Sequence, residues 1–160
     1  MKIRTATIDD LQAVSYIESV CFPAAEAATA QSFAQRLKCY PNHFWILQDG
    51  TQMVGFVNGM VTNEENLQDE MYDNAEMHDE NGAWQMIFGV DTMPSYRRQG
   101  CAEQLLRHVI ETARNQGRKG LVLTCKETLW HYYGKFGFVN EGVSHSTHGN
   151  GIWYQMRLTF

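Results

Sequence analysis

The chain has 160 residues, enough for one domain with a core of its own, and the expected domain is residues 1–160. Apolar residues make up 44% and charged residues 19%, an ordinary globular balance, and no apolar run approaches the roughly 20 residues that span a bilayer. The net charge of −5 argues against nucleic acid as the main partner, and MKIRTATIDD has no signal-peptide core, so the expected location is the cytoplasm, without membrane contact.

Taken in chain order, KIRTAT alternates like a strand. A helix is predicted from about Asp9 to Val20, with Leu11, Val14, Ile17 and Cys21 on one face. Thr7 or Asp9 can cap its start. A second helix is predicted over Ala30–Cys39, with Phe33 and Leu37 on one face. HFWILQ and QMVGFVNGMV flank Asp49-Gly50, a strong hairpin signal. AWQMIFGVD, residues 83–91, reads as one buried strand. A helix after TMPSYRR buries Leu105, Leu106, Val109, Ile110 and Ala113 and stops near Gly117. GLVLTC is a short buried strand, a helix follows from about Thr128 to Lys135, and FVNEG and GIWYQMRLTF close the chain as strands. The order β-α-α-β-β-β-α-β-α-β-β predicts an α/β protein with a mixed sheet and helices on both faces.

The acidic charge is concentrated. Eight of the eighteen acids lie between Glu64 and Glu80, where there is no Lys or Arg, which leaves ten acids against thirteen bases elsewhere. Such a segment is either a solvated loop or a lip that attracts a cationic substrate. The four cysteines, Cys21, Cys39, Cys101 and Cys125, form no CxxC pair and read as reduced thiols.

Arg97-Arg98-Gln99-Gly100-Cys101-Ala102 places a glycine between a strand and a helix. A helix N-terminus presents unpaired N–H groups and a partial positive charge, and Gly and Ala let a ligand approach the backbone. These features suit a pyrophosphate, although an ordinary helix start has the same local signature. Neither GxxxxGK[ST] nor GxGxxG is present.

Arg97-x-x-Gly100-x-Ala102 resembles the [Q/R]-x-x-G-x-[G/A] signature of the GNAT superfamily of acyl-CoA-dependent N-acyltransferases. His131-Tyr132-Tyr133-Gly134-Lys135-Phe136-Gly137-Phe138 is similar to that family's Y-x-x-x-G-F segment, in the right order and at a fitting distance. LTCKETLWHYYGKFGFVNEG looks closest to the arylalkylamine N-acetyltransferase-like branch. The resemblance implies the GNAT fold over nearly the whole chain, with acetyl-CoA as cosubstrate. It implies that Arg98, Gln99, Gly100, Cys101 and Ala102 hold the pyrophosphate through their amides. It implies a strand splayed at Phe88, Gly89 and Val90 that pairs with the pantetheine arm, the Phe88 N–H being the candidate donor to the acetyl carbonyl.

Amide formation needs a proton removed from an ammonium with a pKa near ~10.4, and a proton or hydrogen bond supplied to the leaving thiolate. Tyr133 matches the family's general acid. An aromatic core cluster of Tyr132, Tyr133, Phe136 and Phe138 is the plainer reading. A phenol near ~10 protonating a thiolate near ~8.5 is uphill by roughly 2 kcal/mol, which favours a hydrogen bond to sulfur. In the arylalkylamine enzymes the strand before the phosphate loop carries two histidines. Trp84 and Met86 look like the corresponding positions here, and AWQMIFGV has no ionisable side chain. The base candidates from elsewhere are Glu65, His78, Glu80 and His131, and Trp84 fits either an acceptor pocket or the core.

His145-Ser146-Thr147-His148 has an HxxH spacing in a glycine-containing loop with no further ligand nearby, so no metal is expected. Cys101 at a helix N-terminus can have a lowered thiol pKa, but it lacks an orienting partner for nucleophilic chemistry. The expected function is acetyl transfer from acetyl-CoA to a primary amine of a small cationic acceptor, by direct attack in a ternary complex. Transfer to a protein or peptide, and a CoA-binding module without turnover, are the alternatives. A homodimer stays open.

Overall fold

The computed structural model describes residues 1–160. Strand β1 (Lys2–Thr5) leads through a one-turn 3-10 segment to α1 (Leu11–Cys21). Thr7 and Asp10 make a reciprocal capping box at that entry. Helix α2 (Ala30–Cys39) begins at Thr29, whose hydroxyl accepts from the Ser32 N–H at 3.1 Å. Strands β2 (Phe44–Asp49) and β3 (Gln52–Asn58) form the hairpin at Asp49-Gly50, with Gly50 at φ +61°. Both faces of β2 are buried: Trp45 and Leu47 enter one apolar cluster, Phe44 and Ile46 another.

The acidic segment follows β4 (Val61–Thr62) and folds into the short α3 (Glu70–Asp73) and a 3-10 turn, its acids mostly exposed. Leu67, Met71 and Ala75 are buried with Tyr40, Met60, Trp84 and Met86. These scattered apolar residues anchor it despite its charge.

The stretch read as one strand divides in two. β5 (Trp84–Ile87) pairs in parallel with β7 (Gly120–Cys125), while β6 (Gly89–Thr92) pairs antiparallel with β3. Between β6 and β7 lies α4 (Cys101–Asn115), and after β7 come α5 (Trp130–Gly134), β8 (Val139–Val143) and β9 (Tyr154–Thr159). The sheets run β1-β2-β3-β6 and β4-β5-β7-β9-β8. Helix α4 buries Leu105, Leu106, Val109 and Ile110 with Trp45, Leu47 and Leu121, while α1 and α2 pack Val14, Ile17, Phe33 and Leu37 against Phe44, Ile46 and Phe56. The outcome is a mixed α/β architecture with helices on both faces. No helix is long and apolar enough to cross a membrane.

Candidate active site

The site begins where the two sheets part. β5 and β7 stay paired up to Ile87 and Leu123; beyond that point β6 follows β3, and Thr124 and Cys125 pair only with β9. At the junction Asn58 stands opposite Gly89 in register, yet its carbonyl accepts the Phe88 N–H at 2.8 Å. Two residues thus oppose one, which is a bulge. The Phe88 N–H, expected to serve an acetyl carbonyl, is therefore engaged by the sheet. The Met93 N–H reaches the Val54 carbonyl at 2.8 Å. Alternation along the ladder then turns Gly89 and Asp91 toward β3, and the N–H and C=O of Val90 toward the open wedge.

A cavity of about 480 Å³ fills the wedge. Phe88, Gly89 and Val90 form one wall, and Thr124, Cys125, Lys126 and Tyr133 form the other. Tyr133 is 7% exposed, and burial pushes its phenol pKa far above the ordinary value. It packs edge-on against Tyr132 and Phe138, so it belongs to the aromatic cluster and to the cavity wall together. A phenol kept protonated by burial can donate a hydrogen bond but does not readily release its proton. Burial raises the Cys125 thiol to about 11, so it stays a neutral wall group.

The cavity roof comes from segments whose role the sequence did not reveal. His148, in the loop read as ordinary, donates from Nε2 to the Glu26 carbonyl at 2.6 Å and stacks on Tyr72. Lys126 bonds the Glu26 carboxylate at 2.8 Å. The acidic segment contributes Tyr72 and Asp73 to the wall, and its Asp69 fixes the roof loop through Ser146 Oγ (2.6 Å) and the Thr147 N–H (3.0 Å).

Three charged residues escaped the sequence reading. Glu18 and Arg36 line the cavity, and Asp91 lies beneath Gly89, fully buried. Arg36 bonds Asn58 Oδ1 at 2.9 Å and the Tyr72 carbonyl at 2.8 Å, with its guanidinium over the Phe33 and Phe88 rings. The available signal was charge at core spacing: Glu18 follows Ile17 on the inner face of α1, and Asp91 ends an apolar strand.

The expected base candidates lie elsewhere. Glu65 and His131 are exposed outside the cavity. Glu80 accepts from His78, His43 and Arg118 at 3.1, 2.9 and 3.1 Å, also outside the cavity. His43, His78 and Glu80 bring metal-ligand atoms within 4.8 Å of one another. However, His78 Nδ1 already accepts the Val61 N–H at 3.0 Å, so its Nε2 carries hydrogen toward Glu80. The cluster is a clamp on Glu80. Trp84 is in the core with Arg157 over its ring.

A second concavity of about 300 Å³ adjoins the start of α4, lined by Arg97, Arg98, Gly100, Cys101, Ala102 and Lys135. Arg98 has φ +63° and Gly100 φ +80°, and no side chain caps the helix. The first amides of a 15-residue helix are thus left beside three cations. Gln99 turns its side chain back to the Ser95 carbonyl. The Cys101 thiol is buried, and its pKa is raised by burial, not lowered by the helix.

A sequence profile of the acetyltransferase (GNAT) family matches residues 11–138. No curated protein matches the chain in sequence. Among solved structures, the loading GNATL domain of CurA from Lyngbya majuscula is 15% identical over 99% of this chain and 96% of that one, with a TM-score of 0.85. The GphF GNAT-like decarboxylase in complex with isobutyryl-CoA is 19% identical over 99% of both chains, with a TM-score of 0.84. The ribosomal-protein-S18-alanine N-acetyltransferase from Escherichia coli is 20% identical over 99% of this chain and 92% of that one, with a TM-score of 0.74.

Proposed function

The chain belongs to the GNAT acetyltransferase family, and from that premise we propose that it transfers acetyl from acetyl-CoA to a primary amine of a small cationic acceptor, by direct attack in a ternary complex. Family membership makes it an acyltransferase that uses an acyl-CoA. The proposal treats residues 1–160 as one catalytic domain. The observation that carries the acceptor class is the roofed wedge: about 480 Å³, floored by Phe88–Val90, with Glu18, Glu26 and Asp73 on its walls against Arg36 and Lys126, the last bonded to Glu26. Negative charge around an apolar recess attracts an ammonium group. The rings of Phe22, Tyr72, Phe88 and Trp153 favour an aromatic amine, in keeping with the arylalkylamine-like reading.

In this proposal the amides of Arg98 to Ala102 hold the pyrophosphate, with Arg97 and Lys135 adding charge. Val90 pairs with the pantetheine arm. The Tyr133 hydroxyl donates to the sulfur as the C–S bond breaks. A peptide acceptor is the second reading, and it has its support in neighbours such as the E. coli enzyme. The bridge from Glu26 to His148 and Lys126 weighs against it, since it roofs the recess that a chain would enter. CoA release from acetyl-CoA with tryptamine, phenylethylamine and spermidine, set against an alanyl peptide, tests the reading. Malonyl-CoA without amine tests decarboxylation, the activity named for GphF. Release only with the peptide would overturn the small-amine assignment.

A further inference from the structure

Direct attack needs a proton acceptor. β5 is Trp-Gln-Met-Ile, with no ionisable side chain, and the other candidates face away from the cavity. The wedge wall and the layer beneath it hold an unusual pair. Glu18 is 7% exposed in the cavity wall, with Oε2 held by the Ala28 N–H at 2.8 Å. Asp91 is 0% exposed, and neither of its oxygens receives an N–H or hydroxyl donor. The two carboxyls flank one point of the backbone. A Cβ on Gly89 would lie 3.1 Å from Asp91 Oδ1 and 4.0 Å from Glu18 Oε1. Gly89 follows the bulge and lines the cavity, so its bare Cα leaves room beside Glu18, with Asp91 directly beneath.

We propose that Glu18 and Asp91 act as one proton-sharing pair that takes the acceptor's ammonium proton, with Glu18 as the catalytic residue and Asp91 as the positioning residue behind it. The inference rests on the acetyl-transfer reading above. A buried carboxylate without a donor is costly, and two adjacent carboxylates resist ionising together. Asp91 has no donor of its own, and the Glu18 carboxyl approaches the same point above Gly89, so one proton held between the two relieves both. Burial first, then the charge of Glu18, hold the Asp91 pKa well above its ordinary value. The Cys21 thiol on α1 adds to the rise, and the Arg36 guanidinium on α2 opposes it. Tyr133 lines the same cavity as Glu18. Asp73, Glu26, Lys126 and His148 complete the charged and titratable surroundings of the cavity.

The step balances without a further reactant. The ionised pair takes one proton from the ammonium nitrogen, and the N–H electrons remain on nitrogen. That lone pair attacks the thioester carbonyl carbon, the C–N bond forms and the C–S bond breaks. The second nitrogen proton ends on sulfur, leaving an amide and the CoA thiol. The pair returns its proton to solvent.

The test compares wild type, Glu18→Gln and Asp91→Asn in the full chain, with whichever of tryptamine, phenylethylamine or spermidine the wild type acetylates. The Gln amide oxygen keeps the Ala28 N–H bonded, and thermal melts verify folding. Glu18→Gln is expected to lose at least about 100-fold in kcat at pH 7, with acetyl-CoA Kd within about twofold, and to regain about tenfold per pH unit as solution supplies free amine. Asp91→Asn is expected to retain turnover with the acid limb of its pH profile moved to lower pH. It should also lose a protonated-carboxyl infrared band that the wild type keeps at pH 7. Glu18→Gln turnover within about threefold of wild type, or an unmoved acid limb in Asp91→Asn, overturns the pair. Acetyl-CoA bound by the wild type but passed to no amine overturns the transfer reading instead, and the pair's role with it.

Discussion

The Phe88 N–H and the Asn58 carbonyl meet at 2.8 Å, and that bond marks where one strand leaves β7 and joins β3. The change of partner opens the wedge. The same bond occupies the Phe88 N–H and leaves the polar groups of Val90 to face the cavity. Glu18, Asp91, Tyr133 and Cys125 all gather around this junction because α1, β6, α5 and β7 converge there.

Tyr133→Phe removes one hydroxyl from the cavity wall and leaves the ring packing against Tyr132 and Phe138. The expected result is a fall of about 10²-fold in kcat with little change in acetyl-CoA affinity, read by steady-state kinetics and calorimetry. Unchanged kcat would remove Tyr133 from the mechanism.

Gly59 lies against β5, where a Cβ would come within 1.9 Å of the Met86 carbonyl oxygen. That contact is with backbone, which cannot rotate away. Gly59→Ala should cost about 3 kcal/mol and lower the melting temperature by roughly 10 °C. A melting temperature equal to wild type would mean that the two strands can separate freely here.

Asp91 gives the opposite sign. Its folded pKa is raised, so its favourable contribution is complete below the unfolded value near ~3.9 and is lost as pH rises toward the folded value. At pH 7 the buried carboxyl therefore weakens the fold, as functional groups often do. Asp91→Asn should melt higher than wild type at pH 7, with the gap closing below about pH 4. Chemical denaturation at several pH values checks this, and a gap that widens in acid would contradict it.

Lys135 stands beside the uncapped start of α4. Lys135→Ala should raise the acetyl-CoA Kd about three- to tenfold at low ionic strength. The difference should shrink near 1 M salt, where screening acts within about 3 Å. Calorimetry at two salt concentrations reads the effect, and a salt-independent difference would point to lost packing on Tyr132 instead.

The helices and hairpin were legible because their signals are local. Thr7 caps, Asp49-Gly50 turns, and α4 carries a clean apolar stripe. Motifs singled out Arg97 to Ala102, which the fold places at the start of α4, and Tyr133, which it places in the cavity wall. The split of residues 83–91 was not, since an apolar strand reads alike whether it has one partner or two. The anchoring of the acidic segment was not legible either, because charge count says nothing about where Leu67 and Met71 go. Glu18, Arg36 and Asp91 are separate in sequence and meet only through tertiary packing. His148 reaches Glu26 across 122 positions.

The central claim is acetyl transfer to a small cationic amine, and the most direct measurement is CoA thiol release from acetyl-CoA across an amine panel with no-enzyme controls. The account predicts release with an aromatic or polyamine acceptor and none with an alanyl peptide. Release with the peptide alone, or no release with any acceptor from a protein that binds acetyl-CoA, would contradict it.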